Sequence, residues 1–287
     1  MKISTKNKIR LASIINKPFI WFVFLLIGSK IQSVKRNGLL WKLDLNEGID
    51  FSIYLFGFFE RTTSKALKRL VSKNSIVIDI GANIGAHTLP MANLLSNEGK
   101  IYALEPTKFA YSKLKDNIKL NAKLSKQIQA DQVMLINTDS QKETNNLYSS
   151  WPLKKQKKQK IHNVHLGVLM TTDGSEKLSL DQYVSSQKIK KIDLIKIDVD
   201  GNELEVFTGA MNTLNQFKPT LIMELAPSSY DEPSDFDKTI VLLSEIGYVF
   251  YSLNEKIKLS TNVNELKKII SKSGSINVIA RIINEIR

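Results

Sequence analysis

The sequence predicts an α/β fold in which a mostly parallel sheet is wrapped by helices on both faces. Three observations predict it. From residue 75 onward, short β-rich runs alternate with longer helical patterns, the order that buries parallel strands beneath crossover helices. One of these runs, "SIVIDI" (75–80), breaks into a glycine turn at Gly81 and Gly85 that opens a helix. Outside residues 1–36 and 154–160 the charge is balanced, although the whole chain carries +13.

Residues 1–37 read as a basic and apolar N-terminal extension, 38–74 as a segment preceding the core, and 75–287 as the domain itself. The extension contains "KPFIWFVFLLIGSK", with nine consecutive apolar residues from Phe19 to Ile27. A spanning helix needs roughly 20, so the pattern predicts a buried or surface-docked helix. Its flanking lysines also suit a peripheral membrane contact through residues 1–36. A secretory signal is disfavoured, because no small-x-small cleavage site follows.

Within the domain, the strand at 75–80 leads to a helix over 84–95. "KIYALE" (100–105) is a second strand, and 107–121 repeats apolar residues at helical spacing through Phe109, Leu114 and Ile118. "QVMLIN" (132–137) predicts the third strand, and "DLIKIDVD" (193–200) the fourth. Its helix runs over 202–217, with Gly209 as an internal weakness. "PTLIMEL" (219–225) is the fifth strand and 236–247 a helix ending at Gly247. "YVFYSL" and "SINVIAR" (275–281) suit a terminal antiparallel pair. Over about 138–178 the pattern dissolves into a Lys-rich loop, and a stretch of that length inside an α/β domain is usually functional or disordered.

The basic excess is local. Residues 1–36 hold eight Lys or Arg and no acid, and "KKQKKQK" (154–160) holds five more lysines; the remainder is 28 basic against 28 acidic residues. A broad cationic groove for nucleic acid is therefore not expected in the core. With no cysteine, disulfides and thiolate chemistry are excluded. This fits a cytoplasmic protein.

The turn reads Asp79-Ile80-Gly81-Ala82-Asn83-Ile84-Gly85. Glycine lets a ligand approach the backbone, and free N–H groups at a helix start attract a carboxylate or phosphate. The spacing departs from the dinucleotide fingerprint G-x-G-x-x-G. Asp79 would oppose a pyrophosphate but accept hydrogen bonds from an ammonium group. Glu105 ends the second strand twenty residues beyond Gly85, where an acid can take both ribose hydroxyls. Ammonium, carboxylate and ribose together describe S-adenosylmethionine. The expected cofactor-binding set is Asp79, Gly81, Asn83, Gly85, Glu105 and Asp139, the last placed after the third strand to meet the adenine amino group.

These motifs resemble the FkbM-type S-adenosylmethionine-dependent methyltransferases. The resemblance covers roughly residues 38–252 and rests on "VIDIGANIGAHTLP", "GKIYALEPTKFAYSKLKDNIKLN", "SLDQYV…KKIDLIKIDVDGNELEVFTGA" and "PTLIMEL", with "LDLNEGIDFSIYLFGFFE" (43–60) similar to the family's pre-core segment. It implies a seven-stranded class I methyltransferase fold and methylation of hydroxyl oxygens on small molecules, sugars or glycans. Many members read Asp-Val-Glu-Gly where this chain has Asp198-Val199-Asp200-Gly201, a change that shortens the reach of the second acid.

Ligands in open α/β sheets sit beyond the carboxyl ends of the strands, where Asp79, Glu105, Asp139, Asp198, Asp200 and Glu224 gather. Lys196 and Asp198 share one face of the fourth strand and would pair if buried together. The expected catalytic residues are Asp198 as base or orienting group, Glu224 as second choice, and Lys196 beside them. His87 suits helix packing or the cofactor's carboxylate end. His162 and His165 stand apart beside the lysine run, and no metal site is expected. Tyr148 and Trp151 are candidates for the acceptor pocket or for anchoring the loop. Two other readings compete: an RNA methyltransferase, disfavoured because "DVDGNE" replaces the Asn/Asp-Pro-Pro-aromatic motif, and a membrane-docked protein that keeps the cofactor fold without catalysis. Oligomeric state is not encoded in any motif.

Overall fold

In the computed structural model, which describes residues 30–138, 146–153, 167–230, 232–270 and 274–282, the chain first makes an antiparallel hairpin. Its strands are β1 (Ile31–Arg36) and β2 (Leu39–Asp44). The turn between them is Asn37-Gly38, both with positive φ (50° and 82°), the geometry that matches the twist of the flanking strands. Alternation along β2 buries Leu39, Trp41 and Leu43. Helices α1 (Gly48–Phe56) and α2 (Arg61–Leu70) follow.

The domain continues through β3 (Ile76–Ile80), α3 (Thr88–Ala92), β4 (Lys100–Leu104) and α4 (Lys108–Leu120). Thr107 caps α4 by accepting from the Ala110 amide. Next come β5 (Ile128–Asp131), β6 (Val133–Leu135), β7 (Asn146–Ser150), β8 (Val168–Thr171) and β9 (Glu176–Leu178). Helix α5 (Leu180–Ser186) starts on a capping box between Ser179 and Gln182. The remaining elements are β10 (Leu194–Ile197), α6 (Glu203–Thr208), α7 (Met211–Phe217), β11 (Thr220–Leu225), α8 (Pro233–Glu245), β12 (Tyr248–Ser252), α9 (Val263–Ile269) and β13 (Ile276–Ile282).

Seven strands form one sheet in the order β12-β13-β11-β10-β3-β4-β5. Only β13 runs antiparallel to its neighbours. The expected seven-stranded, mostly parallel architecture is present. Two cores cover its faces. One packs Ile78, Ile195 and Leu221 against α5 to α9; the other packs Val77, Leu194 and Ile222 against β2, α1, α2, α3 and α4. Asn117 and Asn121 of α4 and its cap fasten the hairpin by accepting from the Lys42 and Leu40 amides at 2.8 and 2.9 Å. No helix among the described residues is long and apolar enough to cross a membrane. The segment expected as an N-terminal helix lies outside the described residues.

Three sequence expectations are corrected. The third strand of the sheet is β5, not 132–137: Val133–Leu135 leaves the sheet and pairs with β9 instead. Only Ile128 and Ala130 give β5 apolar character, so the stronger apolar run next to it misled the pattern. The helix expected over 202–217 breaks at Gly209, where a side chain would stand 2.5 Å from the Ile136 carbonyl oxygen. Asp181 then restarts it as α7, accepting from the Asn212 and Thr213 amides at 3.0 and 2.7 Å. The helix expected over 84–95 is α-helical only at Thr88–Ala92.

Trp41 is 2% exposed within the second core, so Trp41→Ala should lower unfolding free energy by about 3–5 kcal/mol. Urea denaturation measures this, and a loss under about 1 kcal/mol would mean that the hairpin is not part of the cooperative core.

Candidate active site

The sheet reverses direction between β3 and β10, since the chain builds outward from β3 to β5 and returns on the other side. Such a reversal leaves a crevice beyond the strand ends. Here it is a cleft of about 460 Å³. Its lining includes Gly81, Asn83, Glu105, Lys196, Asp198 and Glu224, together with the apolar Phe51, Phe56, Phe59 and Trp151.

Gly81 has φ 73°, and a Cβ there would lie 1.9 Å from the Asp198 carbonyl oxygen. The glycine is therefore required by close packing of β3 against the end of β10. Gly85 (φ 89°) lies off the cleft wall; a Cβ there would meet Leu89 and Leu114 at 2.4 and 2.9 Å. Its glycine serves helix packing. The free turn amides expected from the sequence are not found. Gly81 and Ala82 both donate to the Leu104 carbonyl (3.0 Å), Asn83 to Glu105 Oε2 (2.9 Å), Ile84 to Asn83 Oδ1 (2.9 Å) and Gly85 to the Ala82 carbonyl (2.9 Å).

Asp79 is fully buried behind the wall. Thr88 Oγ1 donates to its Oδ2 at 2.6 Å, and Lys196 Nζ stands 3.3 Å from its Oδ1. The ammonium that Asp79 meets here is thus supplied by the chain itself. Lys196 also donates to the Gly81 carbonyl (3.0 Å) and stands 3.7 Å from Asp198 Oδ2. Burial works against its charge, but Asp79 and Asp198 outweigh it and hold the ammonium above the ordinary lysine range. The expected Lys196–Asp198 pairing is accordingly shared with Asp79.

Glu105 is 3% exposed yet lines the cleft. Its Oε1 accepts from the Thr107 amide and hydroxyl at 3.0 and 2.6 Å. Burial raises its pKa despite these donors. Ser149 of β7 donates to the same oxygen at 3.4 Å, and Asn83 Nδ2 donates to the Ser149 carbonyl at 3.2 Å. The loop after the third strand thus returns to the site. Tyr148 and Trp151 both line the cleft. Glu47 anchors them by accepting from Ser150 Oγ and the Trp151 amide, each at 3.0 Å. Asp139, His162, His165 and the lysine run 154–160 lie outside the described residues. Asp139 also loses its positional basis, because β5 ends at Asp131, where Tyr183 donates to the carboxylate at 2.6 Å.

At the other end, carboxylate oxygens of Asp198, Asp200 and Glu224 all come within 4.8 Å of one another. Asp200 adopts φ 48° and Gly201 φ 96°, which turns this segment into the cleft. Burial, then repulsion from Asp198, Glu60 and Glu203, pushes the Glu224 carboxyl up to about 8, while Ser275 Oγ donates to it. Burial chiefly raises Glu203 to about 7, and Asp200 is raised by burial and by Asp198. His87 is 4% exposed, lines the cleft and is lowered to about 3, by burial first and Lys196 second. Glu47, Glu60, Ser149 and Ser275 had no motif to mark them; only Glu47 and Glu60, in "LDLNEGIDFSIYLFGFFE", sat in a segment already matched to a family pattern.

A family model described as the methyltransferase FkbM domain matches residues 79–250. The chain belongs to the FkbM methyltransferase family. This FkbM chain is 25% identical over 212 residues to the hexuronic acid methyltransferase AglP of Haloferax volcanii, covering 73% of each. Among solved structures it is similar to the FkbM methyltransferase of Methylobacillus flagellatus KT (14% identity, TM-score 0.44), over 73% of this chain and 44% of that one. It therefore spans under half of that protein's length. It is also similar to an O-methyltransferase from Bacillus cereus in complex with SAH (16% identity, TM-score 0.47), over 78% and 82% of the two chains.

A methyltransferase of this family uses S-adenosylmethionine. The residues fit that cofactor. A sulfonium cation suits a wall bearing Asp198, Asp200 and Glu224, and Glu105 Oε2, with one donor from Asn83, keeps acceptor capacity for a hydroxyl.

The raised carboxyls make stability pH-dependent. Glu203 and Glu224 lose protons near 4.5 in the unfolded chain but near 7 and 8 when folded. Their stabilisation is complete below pH 4.5 and is lost as pH rises through 7 to 8. The lowered His87 acts oppositely, and only below its unfolded value of 6.5. Stability of the cofactor-free protein should therefore fall between pH 6.5 and about 8, with a shallower fall in Glu224→Gln. Thermal unfolding at stepped pH checks it, and a flat profile over that window contradicts the assignment.

Proposed function

We propose that this chain transfers a methyl group from S-adenosylmethionine to a hydroxyl of a neutral sugar, glycan or similar small molecule, in the cytoplasm. From charge alone, we also propose a peripheral membrane contact through the basic residues 1–36. The observation that carries the acceptor class is the charge of the cleft. Among the described residues lining it, Glu60, Glu105, Asp198, Asp200 and Glu224 face a single cationic side chain, Lys196. Lys196 is already engaged by Asp79 and the Gly81 carbonyl. A uronic acid, the acceptor named for the Haloferax volcanii relative, would add a negative charge to this acid-rich lining, and so would a nucleic-acid backbone. A neutral hydroxylated ring would not, and Phe59, Tyr148 and Trp151 offer apolar surface for its carbon face.

S-adenosylmethionine supplies an activated methyl when bound. In this proposal Gly81, Asn83 and Glu105 hold its nucleoside and amino acid portions, and Asp198 lies on the acceptor side. Asp79 and Gly85 act indirectly, by fixing Lys196 and by packing the helix start. Lys196 is held charged, so it orients carboxylates and does not take a proton. Of the two candidate bases, Glu224 is favoured. Its proton affinity near 8 lies closer to neutrality than that of an ordinary carboxylate, the condition for an effective general base. Asp198 then orients the hydroxyl. Alignment of the two reactants supplies up to roughly 7–11 kcal/mol, and proton removal about 10²–10⁴-fold.

Incubation of neutral glycosides and uronates with isotopically labelled cofactor, read by mass spectrometry, should show a gain of one methyl for one hydrogen on neutral acceptors only. Preferential labelling of uronates would overturn the charge argument. Glu224→Gln should lower kcat by about 10²–10⁴-fold in a variant that still binds cofactor; undiminished turnover would return the base to Asp198. Glu105→Ala should weaken cofactor binding ten-fold or more, on the scale of ~1.5–3 kcal/mol for a charge-assisted hydrogen bond, as measured by isothermal titration. An unaltered dissociation constant removes the ribose assignment.

A further inference from the structure

His87 is buried on the cleft wall, and neither ring nitrogen has a hydrogen-bond partner. Buried polar side chains in native proteins are almost always paired, so a ring in this state marks a place where an oxygen binds. Its surroundings define that place. Phe59 packs against the ring with centroids 5.9 Å apart and planes at 46°. Nε2 faces Glu60 Oε2 across 4.0 Å, too far for a hydrogen bond. One oxygen placed between them could reach both atoms at ordinary hydrogen-bond lengths of about 2.7–3.0 Å.

Glu60 is itself fixed. Its Oε2 accepts from Thr63 Oγ1 and Asn277 Nδ2, each at 3.0 Å. Its backbone adopts φ 46°, a conformation that non-glycine residues hold only where the surroundings impose it, often at ligand sites. Three distant segments thus converge: the end of the pre-core segment, the turn before α3, and β13. The ring is neutral, because burial and the Lys196 charge disfavour its protonated form. It offers one N–H and one lone pair. An oxygen that accepts from the ring and donates to a carboxylate must belong to a hydroxyl or a water. A carboxylate, ether or methoxy oxygen has no proton for Glu60. Glu60 also stands close enough to Glu224 to raise its pKa, so the gap lies on the acceptor side of the cleft.

We propose that His87 and Glu60 form a subsite that binds one unreacting hydroxyl of the acceptor, next to the hydroxyl that is methylated. The acceptor is then a neutral vicinal diol. This rests on the acceptor reading above and narrows it. Glu60, holding two donors already, is a poor base, which leaves the reacting hydroxyl to Glu224.

Methyl glycosides of neutral hexoses are assayed with labelled S-adenosylmethionine, and the best is compared with its analogue deoxygenated beside the methylated carbon. The deoxy analogue should lose ten-fold or more in kcat/KM with the unaltered enzyme. In His87→Phe the parent glycoside should lose a similar factor, mainly through KM, and deoxygenation should add nothing further. Binding of S-adenosylhomocysteine by isothermal titration confirms that the variant is folded, with Glu60→Gln as the second variant. A deoxy penalty that persists undiminished in both variants overturns the proposal. If no glycoside is labelled, the acceptor reading fails, and a crystal structure with S-adenosylhomocysteine decides the subsite separately. A water bridging His87 Nε2 and Glu60 Oε2 supports it, and a ring bonded directly to Glu60 with no intervening oxygen overturns it.

Discussion

Lys196 holds the centre of the sheet together. It stands in register beside Asp79 on the neighbouring parallel strand, in a layer otherwise built from Val77, Leu194 and Ile222. A buried ion pair of this kind is weak evidence for stability, because desolvating both charges consumes most of their attraction. What it does impose is position. Its three contacts, Asp79, the Gly81 carbonyl and Asp198, join the ends of the two strands where the sheet reverses. Removing the lysine would leave Asp79 buried without a counter-charge, so the pair must persist if the strand ends are to stay in place.

This constraint explains the local sequence on both sides of the cleft. With Lys196 drawn under the Gly81 carbonyl, the β3 turn presses against the end of β10, and no side chain fits at residue 81. Beyond β10, the chain escapes the crowding through two successive positive φ values at Asp200 and Gly201. That bend brings Asp200 toward Asp198 and Glu224. Burial, and after it mutual repulsion, holds the Glu224 proton to about 8. A carboxyl kept protonated by burial and by its neighbours is also one that an incoming cation can deprotonate. The same acids that strain the cofactor-free site therefore suit it to a positively charged cofactor and to accepting a proton.

The sheet was legible because its strands are short apolar runs with glycine or acid at their ends: "VIDI", "LIKI" and "TLIMEL" fall where the pattern placed them. Of the strand-end acids, Glu105, Asp198, Asp200 and Glu224 were legible for the same reason, since a parallel sheet delivers its strand ends to one edge. What failed was the third strand. Its four residues carry little apolar signal, whereas Val133–Leu135 carries more but pairs outside the sheet. The turn amides were misjudged because local spacing does not reveal that Leu104 and Glu105, on another strand, take them up. Asp79 was read as facing a ligand's ammonium, and the register that gives it Lys196 instead depends on pairing over more than a hundred residues.

The part of the cleft that we assign to the acceptor was illegible for a related reason. Glu60 comes from a segment before the core, Ser149 and Trp151 from the end of β7 and the residue after it, and Ser275 and Asn277 from the start of β13 and the residue before it. None belongs to a repeating pattern, and each reaches the site only through tertiary contacts such as Glu47 with Ser150. The cofactor half is built on one βαβ unit, so local sequence encodes it. Acceptor choice is distributed over segments far apart in the chain. None of them takes part in the Lys196 linkage with Asp79, Gly81 and Asp198.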